Sequence, residues 1–233
     1  MDKQTITFPC GTVTSHSVLI RPRGFTNARP GVLVFPDWSG CNDFAVEKAR
    51  LLAEAGYVAL AVDLYGDGRV GQDNDEKIAL MQPLRADPHQ LRARLVAAFQ
   101  VLSSQSGVQA DHVFAIGFCF GGYCALELAR SGTRIAKVAS FHGLLLPGLH
   151  AEQVSAKVLV LHGYDDPMVP PQDVATFEQE MTQLKVDWQV HVYGGVMHSF
   201  TNPLANDMAF GTVYQADAAR RSWAALTYFL QEP

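Results

Sequence analysis

The chain has 233 residues, 48% of them apolar, and 18 basic against 23 acidic side chains give a net charge of −5. That length suits one large α/β domain over 1–233 with a single core, and the acidic balance argues against a nucleic-acid binder, which would show a basic stripe. No apolar run is long enough to span a bilayer and MDKQTITFPC carries no secretory pattern, so the cysteines at 10, 41, 119 and 124, which form no C-x-x-C pair, read as reduced cytosolic thiols.

Residues 5–8 and 17–21 read as two strands joined by a turn at Gly11. A loop rich in Pro, Gly and Arg leads to 32–35 (VLVF), fully apolar, as in a strand covered on both faces. Asn42 or Asp43 can cap a helix that ends at Gly56. The next apolar strand, 57–62, ends at Asp63-Leu64-Tyr65-Gly66. Residues 67–87, with glycines, several acids, Arg69 and Arg85, read as an irregular segment able to cover a site partly. A helix over 88–104 carries apolar residues at helical spacing. Strands follow at 113–116, 137–141, 157–161 and 187–193, and helices at about 123–129, 172–184 and 214–230. Strands alternating with helices predict a mostly parallel sheet covered on both faces, with function at the carboxyl ends of its strands.

Between the strand at 113–116 and the helix at 123–129 lies Gly117-Phe118-Cys119-Phe120-Gly121-Gly122. Glycines two before and two after a central residue, on a strand-to-helix turn, are the pattern of a nucleophile elbow, here with Cys in place of the commoner Ser. The central residue is strained, so its −2 and +2 neighbours must lack Cβ. The helix N-terminus there favours an anion, which for a thiol means the thiolate.

A thiol nucleophile needs a base and a group to orient it. In the elbow layout the chain order is nucleophile, acid, His. Asp165 and Asp166 follow the strand at 157–161, and His198 follows Gly194-Gly195-Val196-Met197. Either acid would fix the imidazole tautomer and stabilise the imidazolium. The other histidines lack this position; His142 and His162 end strands and read as core. An oxyanion hole would use the N–H of Phe120 and, from the turn after Phe35, the N–H of Trp38, since Pro36 has none. Phe118, Phe120, Trp38 and Tyr65 would line an aromatic pocket.

These motifs make the chain resemble the dienelactone hydrolase family of the α/β-hydrolase superfamily. The resemblance rests on Gly117–Gly122, on Asp-Leu-Tyr-Gly at 63–66, on His-Gly-x-x-Asp-x-x-Val-Pro from His162 to Pro170, and on Gly-x-x-His-Ser-Phe at 195–200. It implies an α/β-hydrolase fold with little or no cap domain. It implies a small ester or lactone as substrate, with no metal and no organic cofactor. It also implies a Cys119–His198–Asp166 triad, choosing Asp166 by the register of Val169-Pro170, and Asp37 as the acidic modulator of the nucleophile. The dienelactone-cleaving enzymes carry an Arg shortly after His-Ser-Phe; here Thr201-Asn202-Pro203 follows, and a second family Arg has counterparts only in Arg69 or Arg85. The reading of Cys119 as nucleophile extends to other activated electrophiles, neutral phosphotriesters among them, whose phosphoryl oxygen could use the same oxyanion hole. The competing readings are a non-catalytic binding member of the fold and a redox-sensing thiol. The complete triad opposes the first; Cys124, at i+5 and off the Cys119 face, opposes the second.

Overall fold

A computed structural model of the chain describes residues 1–149, 151 and 153–233; His150, one of the histidines set aside above, lies outside them. An eight-stranded sheet runs through the molecule. Its strands are β1 (Asp2–Cys10), β2 (Val13–Arg21), β3 (Arg29–Phe35), β4 (Val58–Ala61), β5 (Val108–Phe118), β6 (Lys137–Phe141), β7 (Lys157–Gly163) and β8 (Trp188–Tyr193), in spatial order β1-β2-β4-β3-β5-β6-β7-β8. β1 and β2 form an antiparallel hairpin through Gly11 (φ 65°), and β2 is antiparallel to β4. Every other neighbouring pair is parallel.

The sequence explains this order of burial. β4 and β6 are buried at every position, as expected where helices cover both faces. β1 is mostly exposed, as suits an edge strand. The helices are α1 (Asp43–Glu54), α2 (Asn74–Ala86), α3 (Pro88–Ser103), α4 (Phe120–Arg130), α5 (Pro171–Gln183) and α6 (Ala216–Gln231). α3, α4 and α5 contribute to one apolar core with Leu95, Leu128 and Phe177; α1 and α6 contribute to a second, on the other face, with Leu52 and Leu226. Each such side chain contributes roughly 1.5–3 kcal/mol on burial. No helix is long and apolar enough to cross a membrane.

β3 has β4 on one side and β5 on the other. The chain winds outward one way from β3 and then the other way from β5. Such a reversal leaves a crevice beyond the carboxyl ends of the two strands, and both Trp38 and Cys119 follow those ends.

Two expectations need correction. Residues 74–86 of the supposedly irregular segment form α2. The Asp73 carboxylate accepts from Glu76 N, and Glu76 accepts from Gln72 N, at 2.9 and 2.8 Å. That reciprocal cap starts the helix, although only Leu84 is buried along it. A small hairpin, β9 (Asn206–Asp207) with β10 (Thr212–Val213), adds a second sheet that the sequence did not announce.

Candidate active site

Cys119 stands between β5 and α4 with φ 55° and ψ −118°. This positive φ costs on the order of 1–3 kcal/mol and persists only where the surroundings enforce it. They do. A Cβ on Gly117 would lie 1.8 Å from the Gly121 carbonyl oxygen, and one on Gly121 would lie 2.2 Å from that of Phe35. A Cβ on Gly122 would meet Ser140 Oγ at 2.5 Å. Cys119 N donates to Phe141 O at 3.0 Å. The elbow is therefore wedged against β3 and β6, and the thiol keeps only 9% exposure.

The two acids separate at once. Asp165 is exposed, whereas Asp166 is buried. Asp166 Oδ1 accepts from Met168 N at 2.8 Å, and Oδ2 lies 2.6 Å from His198 Nδ1. His198 is buried and Nε2 has no hydrogen-bond partner among the described residues. Gly163 permits this arrangement, since a Cβ there would lie 2.4 Å from Val196 O. The His198 backbone is clamped by the small hairpin: His198 N donates to Gly211 O and Val213 N donates to His198 O, each at 3.0 Å.

Burial alone would push the His198 imidazole down. The charge of Cys119 and the Asp166 hydrogen bond outweigh it and raise the imidazole to about 10. His142 packs edge-on against His198 at 5.2 Å between ring centroids and pairs Nε2 with Thr201 Oγ1 at 2.8 Å. Burial holds both His142 and His162 below the ordinary imidazole value. Both are buried, as the sequence suggested.

Across the crevice, residues 37–40 form a braced turn. Asp37 Oδ1 accepts from Ser39 N at 2.8 Å, Gly40 N donates to Asp37 O at 3.2 Å, and the Tyr65 hydroxyl donates to Trp38 O at 2.8 Å. Burial raises the Asp37 carboxyl above its usual range, while the Ser39 bonds and the charges of Lys77 and His198 pull it down. The amides of Trp38 and Phe120 donate to no acceptor among the described residues. Phe120 N is the first amide of α4, a position left unpaired by helix geometry.

A cavity of about 520 Å³ joins these groups, with Asp37, Trp38, Cys119 and His198 in its wall. The aromatic pocket expected from the sequence is reduced to Trp38. Phe118 packs against Phe44 and Phe141 in the core of the opposite face. Strand alternation turns its side chain away from the Cys119 side. Phe120 and Tyr65 are buried in the other core, Tyr65 beneath Trp38. Arg69 does not reach the cavity either: its guanidinium bonds the Tyr65 and Gly66 carbonyl oxygens. Arg85 does line it. The sequence reading missed Lys77 and Met81 on α2, Leu144, Leu146 and Met168, and Phe210 on the hairpin. The cap Asp73 and Glu76 were the available signal for α2; nothing in the sequence marked the hairpin.

Comparisons with known proteins bear on the family and the fold. The model of the dienelactone hydrolase family matches residues 16–233. A crystal structure of a dienelactone hydrolase-like promiscuous phosphotriesterase from metagenomic libraries superposes with a TM-score of 0.94 at 39% identity, covering 98% of this chain and 97% of that one. A Bradyrhizobium protein named as a probable 2-oxo-3-(5-oxofuran-2-ylidene)propanoate lactonase is 29% identical over 218 residues, 88% of this chain and 85% of its own. An uncharacterized Caenorhabditis elegans protein is 39% identical over 147 residues, 61% of this chain and 93% of its own. With the α/β-hydrolase fold and a family match over nearly its whole length, the chain belongs to the dienelactone hydrolase family and is a hydrolase of the ester and lactone class.

Proposed function

We propose that the protein cleaves small esters and lactones through a covalent thiol-linked intermediate, with Cys119, His198 and Asp166 as its triad. The observation that carries this reading is the 2.6 Å contact between Asp166 Oδ2 and His198 Nδ1, with Nε2 left unpartnered and Cys119 in the same cavity wall. Asp166 fixes the tautomer, which leaves Nε2 to exchange protons with the nucleophile and leaving group. Cys119 Sγ forms a bond to the carbonyl carbon, and the oxyanion accepts from Trp38 N–H and Phe120 N–H. The carbon–oxygen bond breaks and the leaving alkoxide takes the proton on Nε2. Water then gives a proton to Nε2 and its oxygen to the carbon. The sulfur–carbon bond breaks, the acid leaves and the thiolate returns. In a lactone the alcohol stays tethered to the acid.

The same donors suit the phosphoryl oxygen of a neutral phosphotriester. There Sγ bonds to phosphorus, an aryloxide leaves, and water cleaves the sulfur–phosphorus bond. The 39%-identical structure described as a promiscuous phosphotriesterase supports this extension. Residues 1–233 act as one domain in this reading, and the four free cysteines suit the reducing cytosol.

Turnover of p-nitrophenyl butyrate, a neutral lactone and an aryl phosphotriester by wild type and Cys119→Ala tests the assignment. Cys119→Ala is expected to lose essentially all activity, while Cys10→Ala and Cys124→Ala keep it. Iodoacetamide labelling at another cysteine, with Cys119 untouched and activity lost, would overturn it.

A further inference from the structure

The small hairpin reaches His198, Trp38 and the chain beside Asp166. Gly211 O and Val213 N hold the His198 backbone. A Cβ on Gly211 (φ 79°) would lie 2.2 Å from Cγ of Pro167, the neighbour of Asp166. Phe210, in the same loop, stacks on Trp38 with ring centroids 5.9 Å apart and planes 16° apart. Phe210 N donates to Asp207 Oδ1 at 2.9 Å, which fixes the turn that presents its ring. Phe210 is 44% exposed, so the ring is not held there by a surrounding core. Its large defined contact is the indole.

Trp38 needs such a contact. Its carbonyl is tied to Tyr65, but its amide makes no bond and its side chain lies at the edge of the cavity. Tyr65 pins the peptide that follows Trp38, while the one that carries its N–H is held at its other end by Gly40 N donating to Asp37 O at 3.2 Å. The indole is only partly buried against the core, so the Phe210 stack adds to that single bond in fixing the 37–38 peptide. We propose that Phe210 is a positioning residue for the oxyanion arm: its stack on Trp38 holds the Trp38 amide in line with the developing oxyanion, and the hairpin sets that amide in register with the base His198. The proposal rests on the reading that Trp38 N–H is an oxyanion donor. Offset stacking supplies the contact without hydrogen bonding. A misplaced donor costs most where the oxyanion is fully formed and little in the ground state.

The test separates reactions that form an oxyanion from one that does not. Phe210→Ala is expected to lower kcat for p-nitrophenyl butyrate by tenfold or more, with KM changed less than threefold. The inhibition constant of an aryl trifluoromethyl ketone, whose adduct has a Sγ–C bond and an oxyanion, is expected to rise by a similar factor. Alkylation of Cys119 by iodoacetamide, which forms a Sγ–C bond and releases iodide, is expected to change less than twofold. Phe210→Tyr restores kcat and ketone affinity. Met208→Ala, on the same loop and exposed, leaves all three readouts at wild type. Trp38→Ala reproduces the Phe210→Ala losses, and the double variant loses no more than either. Phe210→Ala within twofold of wild type in kcat and ketone affinity overturns the proposal. So do losses that multiply in the double variant, or an alkylation rate that falls with kcat. Ketone binding equally to wild type and Cys119→Ala overturns the covalent reading itself, a distinct failure.

Discussion

The elbow and the rim of the cavity are built by different means. At the elbow, Gly117, Gly121 and Gly122 face backbone or side-chain atoms at distances where no Cβ fits. The position of Cys119 is imposed by packing from β3, α4 and β6. The rim consists of α2 and the β9–β10 hairpin. α2 is held by side-chain caps and one buried leucine, and the hairpin by a few backbone bonds and an aromatic stack. Ile78, Leu204, Met208 and Phe210 stay exposed along it. Cys119 thus sits on what cannot move, while the cavity rim is held by contacts that are cheap to change.

The strongest way to break this contrast is at Asp166, the proposed triad acid. Asp166→Asn is expected to lower kcat by roughly two orders of magnitude, the low end for a wrong histidine tautomer, because a thiol depends less than a hydroxyl on its base. Asp165→Asn, exposed and without a side-chain bond among the described residues, should stay within a few-fold. A reversed ranking in steady-state kinetics moves the triad acid to Asp165.

A smaller effect sharpens the rim. Asn202, uncharged, lines the cavity together with Asp37, and burying an unpaired carboxylate is costly. A neutral lactone is expected to be turned over about tenfold better than its carboxylate analogue, by kcat/KM at low and high salt. Preference for the carboxylate, abolished by Lys77→Met or Arg85→Met, would show that α2 supplies the missing cation. Selection would still lie in the rim, with its sign reversed.

The smallest effect concerns stability at the elbow side. His198 is raised from 6.5 to about 10. A raised base contributes stability that is fully present below about pH 6.5 and is lost as pH rises through about 10. The gap in unfolding free energy between wild type and His198→Gln is expected to narrow as pH rises over that window. Urea unfolding at several pH values measures it, and a flat gap removes the coupling to Cys119 and Asp166.

The division between elbow and rim also explains what was legible in the sequence. Steric demands leave residues behind: the glycines at 117, 121 and 122 and the apolar run of β3 speak directly. Tyr65 and Phe118 were misplaced because proximity in sequence to the site says little about facing. Strand alternation and the bend of the chain turn both away from the cavity. α2 has almost no apolar stripe, and Pro83 lies inside it, so periodicity was silent and only Asp73 and Glu76 hinted at a start. β9 and β10 are two residues each and polar in part; they exist because His198, Pro167 and Trp38 are there to receive them. Asp37 shows the intermediate case, since its place after β3 was readable while its bond to Ser39 was not.

The clamp on His198 has a meaning for synthesis. The elbow is complete once β6 has formed, for its contacts come from β3, α4, Phe141 and Gly143. The His198 backbone is held only when Gly211 and Val213 have been added. In the triad reading, a nascent chain therefore carries a shaped but unassisted thiol through roughly the next three-tenths of its translation, and gains its proton carrier only as Gly211 and Val213 are added.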